Sequence, residues 1–248
     1  MPDGGAAWFL IALVVVAAAS GVTATIAGFG IGSLLTPLIA LRYGMSVAIA
    51  AVAIPHALAT ALRFLRLRPH VNWAIARSFG TFSAVGGLVG ALLYTRLGTR
   101  ALTITLGALL LLTSVAGVTR WAERWHPRGS LRWLLGALSG LFGGLAGNQG
   151  GIRSAALLAF DLSPREFVAT ATATALAVDA VRTPVYLWRA GPSLLGMLLP
   201  IAVATVGVLV GTLAGERLLL RLSRERFQLA VSLLIGALAL WLLLGAAS

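Results

Sequence analysis

The chain has 248 residues, 59% of them hydrophobic and 10% charged, with a mean hydropathy of +0.96. A soluble domain of this size cannot bury so much apolar surface, so the chain belongs in a bilayer. All 19 basic residues are Arg and none is Lys, against 7 acidic residues and a net charge of +12. In a membrane chain this charge reads as anchoring beside anionic cytoplasmic lipid rather than nucleic-acid binding. With no Cys, disulfides and thiol relays are excluded.

The first element, about 8–41, is hydrophobic but broken by Gly28-Phe29-Gly30-Ile31-Gly32-Ser33. It lacks a basic n-region, so it does not read as a cleaved signal peptide. Three apolar segments follow, about 46–66, 77–97 and 100–119, each close to the roughly 20 helical residues that cross hydrocarbon. A linker rich in Arg, Trp, Pro and Gly, 120–131, leads to a second broken element at 132–160, interrupted by Gly147-Asn148-Gln149-Gly150-Gly151-Ile152-Arg153-Ser154. Segments at about 163–189, 193–218 and 225–245 complete the chain.

The two stretches resemble each other. Residues 85–97 and 206–218 align without a gap at an offset of 121 and match at eight of thirteen positions, including Gly86/Gly207, Gly90/Gly211 and Arg96/Arg217. Ala61-Leu62-Arg63 against Ala180-Val181-Arg182, and Ser20-Gly21 against Ser139-Gly140, extend the register at an offset of 119. The expected fold is therefore an all-α polytopic membrane protein. It has a first repeat at 1–119, a basic linker at 120–131 and a second repeat at 132–248, with four elements in each repeat.

Whether a broken element crosses or folds back decides the symmetry: crossing elements give parallel repeats, and hairpins give inverted ones. Crossing elements would divide the arginines almost evenly. Hairpins put Arg63, Arg66, Arg68, Arg77, Arg120, Arg124, Arg128, Arg132, Arg165, Arg217, Arg221, Arg224 and Arg226 on one side, and Arg42, Arg96, Arg100, Arg182 and Arg189 on the other. That bias follows the positive-inside rule, so inverted repeats with both termini on the non-cytoplasmic side are expected.

Non-helical backbone at membrane depth persists only inside protein or along a wet cavity, so both breaks should be internal. Paired breaks at corresponding places point to a substrate site. The helix that resumes after each break directs free amides and its positive dipole end toward it, which suits an anion. The expected substrate-contacting positions are Gly28, Phe29, Gly30, Gly32, Ser33, Asn148, Gln149, Gly150, Gly151, Arg153 and Ser154. Of these, Arg153 supplies a guanidinium fork for an oxyanion. The glycines of Gly86-xxx-Gly90 and Gly207-xxx-Gly211-xxx-Gly215 instead read as helix contacts.

Ionisable groups inside a membrane are costly, which makes His56 and Asp179 candidates for proton coupling. Asp179 also lies one turn before Arg182, so a structural ion pair or a gate is the competing account. Thr170, Thr172 and Thr174 read as satisfying carbonyls of their own helix, with Thr170 and Thr174 on a face that can line a path. His70 and His126 fall in Arg-rich loops and read as solvated. The seven Trp residues sit near segment ends, as an aromatic belt requires.

The patterns AGFGIGSLLTPLIAL (27–41) and AGNQGGIRSAALLAF (146–160), with the length and the two four-element halves, resemble the TauE/SafE-type sulfite and organosulfonate exporters, also called the toluene sulfonate uptake permease family. The resemblance implies a transporter in the bacterial inner membrane. It would export small sulfur-containing anions such as sulfite or C2–C3 sulfonates, with ion-gradient coupling and no cofactor or metal. Asn148-Gln149 departs from the more glycine-rich pattern of the family, which leaves the identity of the anion open. The expected partners are a small organic or inorganic anion and the lipid bilayer, with a homodimer left open. Alternatives are a transporter of another small anion or metabolite, or a membrane-embedded enzyme. An intramembrane serine protease would need a His from a later span, whereas all three His residues precede residue 127.

Overall fold

The computed structural model describes residues 4–120, 129–148, 150–157, 160–218 and 224–247, and every regular element among them is helical. The elements are α1 (Gly4–Ala27), α2 (Ile31–Tyr43), α3 (Met45–Leu67), a single 3-10 turn (Arg68–His70), α4 (Trp73–Tyr94) and α5 (Thr99–Thr119). They continue with α6 (Leu131–Ala146), α7 (Gly150–Leu157), α8 (Pro164–Leu195), α9 (Leu198–Leu218) and α10 (Arg224–Ala247). Six of these helices are long and apolar enough to cross a membrane: α1, α3, α4, α5, α9 and α10. Most of the linker expected at 120–131, with Trp121, Arg124, Trp125, His126 and Arg128, lies outside the described residues, as do Gln149 and Arg221.

Helix breaks fall on the glycine blocks because the backbone there adopts dihedrals that residues with a Cβ avoid. Gly28 has φ +82°, Gly30 +135° and Gly147 +73°. One boundary differs from expectation. The helix expected to stop at 189 continues through Pro184 and Pro192 to Leu195, since membrane helices tolerate proline where neighbouring groups satisfy the freed carbonyls. Its start is fixed by a capping box, in which the Ser163 and Glu166 side chains each accept from the other's backbone N–H, with Pro164 in the first turn.

Each broken element folds back on itself. The Phe9 ring near the start of α1 lies 5.8 Å from the Tyr43 ring at the end of α2, and the Arg42 guanidinium sits over both, 5.3 Å and 5.9 Å from their centroids. The second hairpin closes in the same way. Trp133 and Phe160 are 5.6 Å apart, with Arg132 at 5.1 Å and 4.9 Å from the two rings.

The hairpins are held by an exchange of partners: α1 packs along α9, and α6 packs along α4. Close approach depends on absent side chains. A Cβ on Gly140 would stand 1.8 Å from the Ser83 carbonyl oxygen, one on Gly144 1.9 Å from that of Gly87, and one on Gly90 2.0 Å from that of Leu141. In the other pair, a Cβ on Gly211 would stand 2.0 Å from the Ala18 oxygen and one on Gly21 2.3 Å from that of Val208. Lipid tails are as apolar as the helices, so such contact is the main cohesive force available.

Cross-links define two ends of the bundle. At one, Tyr94 donates to the Ser46 carbonyl at 2.8 Å, and its ring meets Tyr186 at 4.7 Å, near the Phe9–Tyr43 contact and the start of α3. At the other, Arg66 pairs with Glu216, and the Asn72 N–H donates to the Thr170 hydroxyl at 3.0 Å. Thr170 thus serves the start of α4 rather than its own helix, a correction to the sequence reading. Thr172 does bond within its helix, to the Val168 carbonyl at 2.8 Å.

Candidate functional site

The two breaks meet in the protein interior. A Cβ on Gly32 would lie 2.5 Å from the Gly147 oxygen, so backbone meets backbone there, and one on Gly150 would lie 2.3 Å from the Phe29 Cβ, so the second hairpin packs directly on that side chain. Around the crossing lies a cavity of about 20 Å³ lined by backbone of both breaks and by Ser33, His56, Arg63, Asn148 and Arg153.

Among the described residues, several donors around this cavity lack acceptors. Arg153 is 4% exposed, and its Nε and Nη1 have no partner, while Nη2 makes only a long contact of 3.4 Å to the Gly28 carbonyl. The Arg63 Nε, the Asn148 Nδ2 and the Ser33 hydroxyl are likewise buried and unpartnered. A buried donor without an acceptor costs about 1–3 kcal/mol, and more when charged, so several on one cavity mark the place of an absent acceptor. The first turn of α2 adds to them, because its N-cap is Gly30 and no side chain caps its amides.

Sequence reasoning placed Gly28, Phe29, Gly30, Gly32, Ser33, Asn148, Gly150 and Arg153 at the breaks, and all of them line this cavity. Gly151 and Ser154 do not. They face a larger cavity of about 410 Å³, whose lining includes Phe29, Thr113, Arg120, Asp161, Phe167, Gln228 and Ser232. A third cavity, of about 30 Å³, shares Ala27, Ser154, Phe167 and Val168 with the large one, and Gly28, Arg63 and Arg153 with the break cavity. The three therefore adjoin through shared lining residues, the largest beside the start of α8 and the smallest at the crossing. At about 20 Å³ the innermost space holds about one water, so the hairpins must part to admit an oxyanion.

Beside the crossing stands a buried polar relay. His56 Nδ1 donates to Asp179 Oδ2 at 2.8 Å, and Arg182 donates to Asp179 Oδ1 through Nε at 2.9 Å and Nη2 at 2.7 Å. The Arg182 Nη1 and the Tyr186 hydroxyl then donate to the carbonyls of Gly143 and Gly144, each at 2.5 Å, at the C-terminal end of α6. Cations beside the last carbonyls of a helix are stabilised by its dipole.

Arg63 was missed as a site residue. In the sequence it enters only the arginine count and the repeat register. Its side chain is 7% exposed, and Nη1 donates to the Ala24 carbonyl at 2.5 Å. The available signal was its alignment with Arg182.

A family model described as sulfite exporter TauE/SafE matches residues 13–242. The chain belongs to this family. It is thus a multi-pass membrane protein of a transporter family whose members export sulfite, and the matched stretch includes both glycine breaks and every buried charge described above. A search of the curated proteins found no match, and neither did a search of the solved structures.

Proposed function

We propose that the protein is a secondary transporter that carries a small sulfur oxyanion, sulfite or a short sulfonate, outward across the bacterial inner membrane. The substrate site is the crossing of the two glycine breaks. The observation that carries this reading is the set of donors on one buried cavity, Arg153 foremost, that have no partner among the described residues, because each lacks the acceptor an oxyanion would bring. Family membership supports a sulfur oxyanion as that acceptor.

The transport cycle follows from the packing. The two hairpins belong to inverted repeats, each clamped to a helix of the other half, and rocking of one half against the other opens the crossing to alternate sides. The large cavity lies at the end rich in arginine, with Arg66, Arg68, Arg77, Arg120, Arg132, Arg165 and Arg217, which the positive-inside rule makes cytoplasmic. An exporter loads from that side. The pair His56–Asp179, inside the membrane and with His56 itself on the cavity lining, supplies the proton-coupling group.

The test is counterflow in proteoliposomes with a panel of sulfite, sulfonates and carboxylates. Exchange selective for the sulfur anions is the expected result, and exchange only of carboxylates would overturn the assignment.

A further inference from the structure

Arg63 and Arg182 hold corresponding places. Each donates through Nη1 at 2.5 Å to a carbonyl 39 residues earlier, Ala24 for Arg63 and Gly143 for Arg182. Each of those carbonyls also accepts, at 3.1 Å, from the first glycine of its break, Gly28 or Gly147. There the likeness ends. Three residues before Arg182 stands Asp179, which neutralises it, whereas three residues before Arg63 stands Thr60, buried and uncharged.

The buried charged side chains among the described residues are three guanidiniums, Arg63, Arg153 and Arg182, and one carboxylate, Asp179. Asp179 is committed to Arg182 through one oxygen and to His56 through the other. His56 needs no charge for that bond, since its neutral tautomer donates from Nδ1. Two positive charges are left, on Arg63 and Arg153, and both side chains line the break cavity and the space leading to it. An unpaired charge out of water is expensive, and one monoanion would leave one of the two uncompensated.

Resting on the reading of this cavity as the substrate site, we infer that Arg63 is a second anion ligand and that the site is matched to a compact oxyanion carrying two negative charges. An inorganic sulfur dianion or a sulfonate bearing a second acid group both meet that requirement. The replacement of an acid by Thr60 beside Arg63 is what turns one of two matching arginines from a structural tie into a binding group.

The experiment is calorimetric titration of the purified full-length protein with sulfite, sulfate, methanesulfonate and sulfoacetate. Sulfate and methanesulfonate share an SO3 face and differ by one charge at any working pH. Wild-type protein is expected to bind sulfate about 10-fold or more tighter than methanesulfonate, the scale of one charge-assisted contact. Arg63→Gln should collapse that ratio to near one while keeping methanesulfonate within about 3-fold, and Arg63→Lys should retain part of the preference. Sulfoacetate matching sulfate assigns the second charge to an organic acid group, and sulfoacetate matching methanesulfonate assigns it to an inorganic dianion.

Sulfite binding with equal affinity for sulfate and methanesulfonate in the wild type would overturn the second ligand alone. Equal weakening of both by Arg63→Gln, in protein that elutes as the wild type does, would do the same. Failure of the wild type to bind any of the four, sulfite included, would overturn the substrate site itself. Should Arg63→Gln fail to fold, the wild-type comparison and Arg63→Lys still decide.

Discussion

His56 Nδ1 lies 2.8 Å from Asp179 Oδ2, a contact that ties α3 to α8 across 123 residues of chain. Because Arg182 binds only the opposite oxygen, Asp179 holds the Arg182 pair and the His56 hydrogen bond at once. The two accounts that the sequence set against each other are therefore compatible.

That arrangement separates two substitutions. His56→Gln removes the titrating ring but leaves the Asp179–Arg182 pair, so pH-driven accumulation should be lost while equilibrium exchange persists. Asp179→Asn leaves a buried guanidinium uncompensated, which costs about 3–5 kcal/mol, so folded yield should fall as well. Uptake under an imposed pH gradient, counterflow and thermal unfolding distinguish them. Unchanged pH dependence in folded His56→Gln would place coupling elsewhere.

Arg153→Ala should weaken anion binding about 10- to 100-fold, the equivalent of one charge-assisted contact of about 1.5–3 kcal/mol. Among the described residues its contacts are few, with two nitrogens unpartnered, so folded yield should stay near that of the wild type. Arg153→Lys should recover part of the loss, since a point charge replaces the fork. Titration of the purified variants gives both values, and wild-type affinity in Arg153→Ala would remove it from the site.

The chain contains no Cys, so single introduced cysteines report topology without background. Cysteines at Arg68 and Arg165 should react with an impermeant thiol reagent from the cytoplasmic side, and cysteines at Arg42 and Arg100 from the opposite side. Labelling of positions 68 and 165 from opposite faces would break the inverted arrangement.

The crossed packing of α4 and α6 predicts a contrast between two glycines. Gly144→Ala sets a methyl against the Gly87 carbonyl and should cost about 1–3 kcal/mol as the helices are forced apart. Gly98→Ala, with nothing within 4 Å of the added carbon, should be nearly neutral. Thermal unfolding in detergent measures the difference. Equal melting temperatures would show that this interface is not close-packed in solution.

Much of the site was legible locally. Glycine blocks inside apolar runs mark broken helices because only glycine reaches the required φ, and Arg153 is conspicuous because it directly follows one of them. The arginine asymmetry favours hairpins, and the Phe9–Tyr43 and Trp133–Phe160 contacts show both elements folded back. Arg63 was not legible in the same way. Beside Phe64, Arg66 and Arg68 it looks like one more interface residue, and no local pattern tells that its guanidinium turns inward to Ala24.

Composition and glycine placement alone determined that this is a membrane-embedded helical protein with two interrupted helices, because hydropathy and backbone dihedral freedom are properties of single residues and short runs. Tertiary structure alone decided which charges face which. Arg63 acts through Ala24, His56 through Asp179 and Arg182 through Gly143, over separations of 39, 123 and 39 residues. Whether a buried charge is a structural tie or a ligand depends on whether its counter-charge lies within reach, and that is set by how the helices cross.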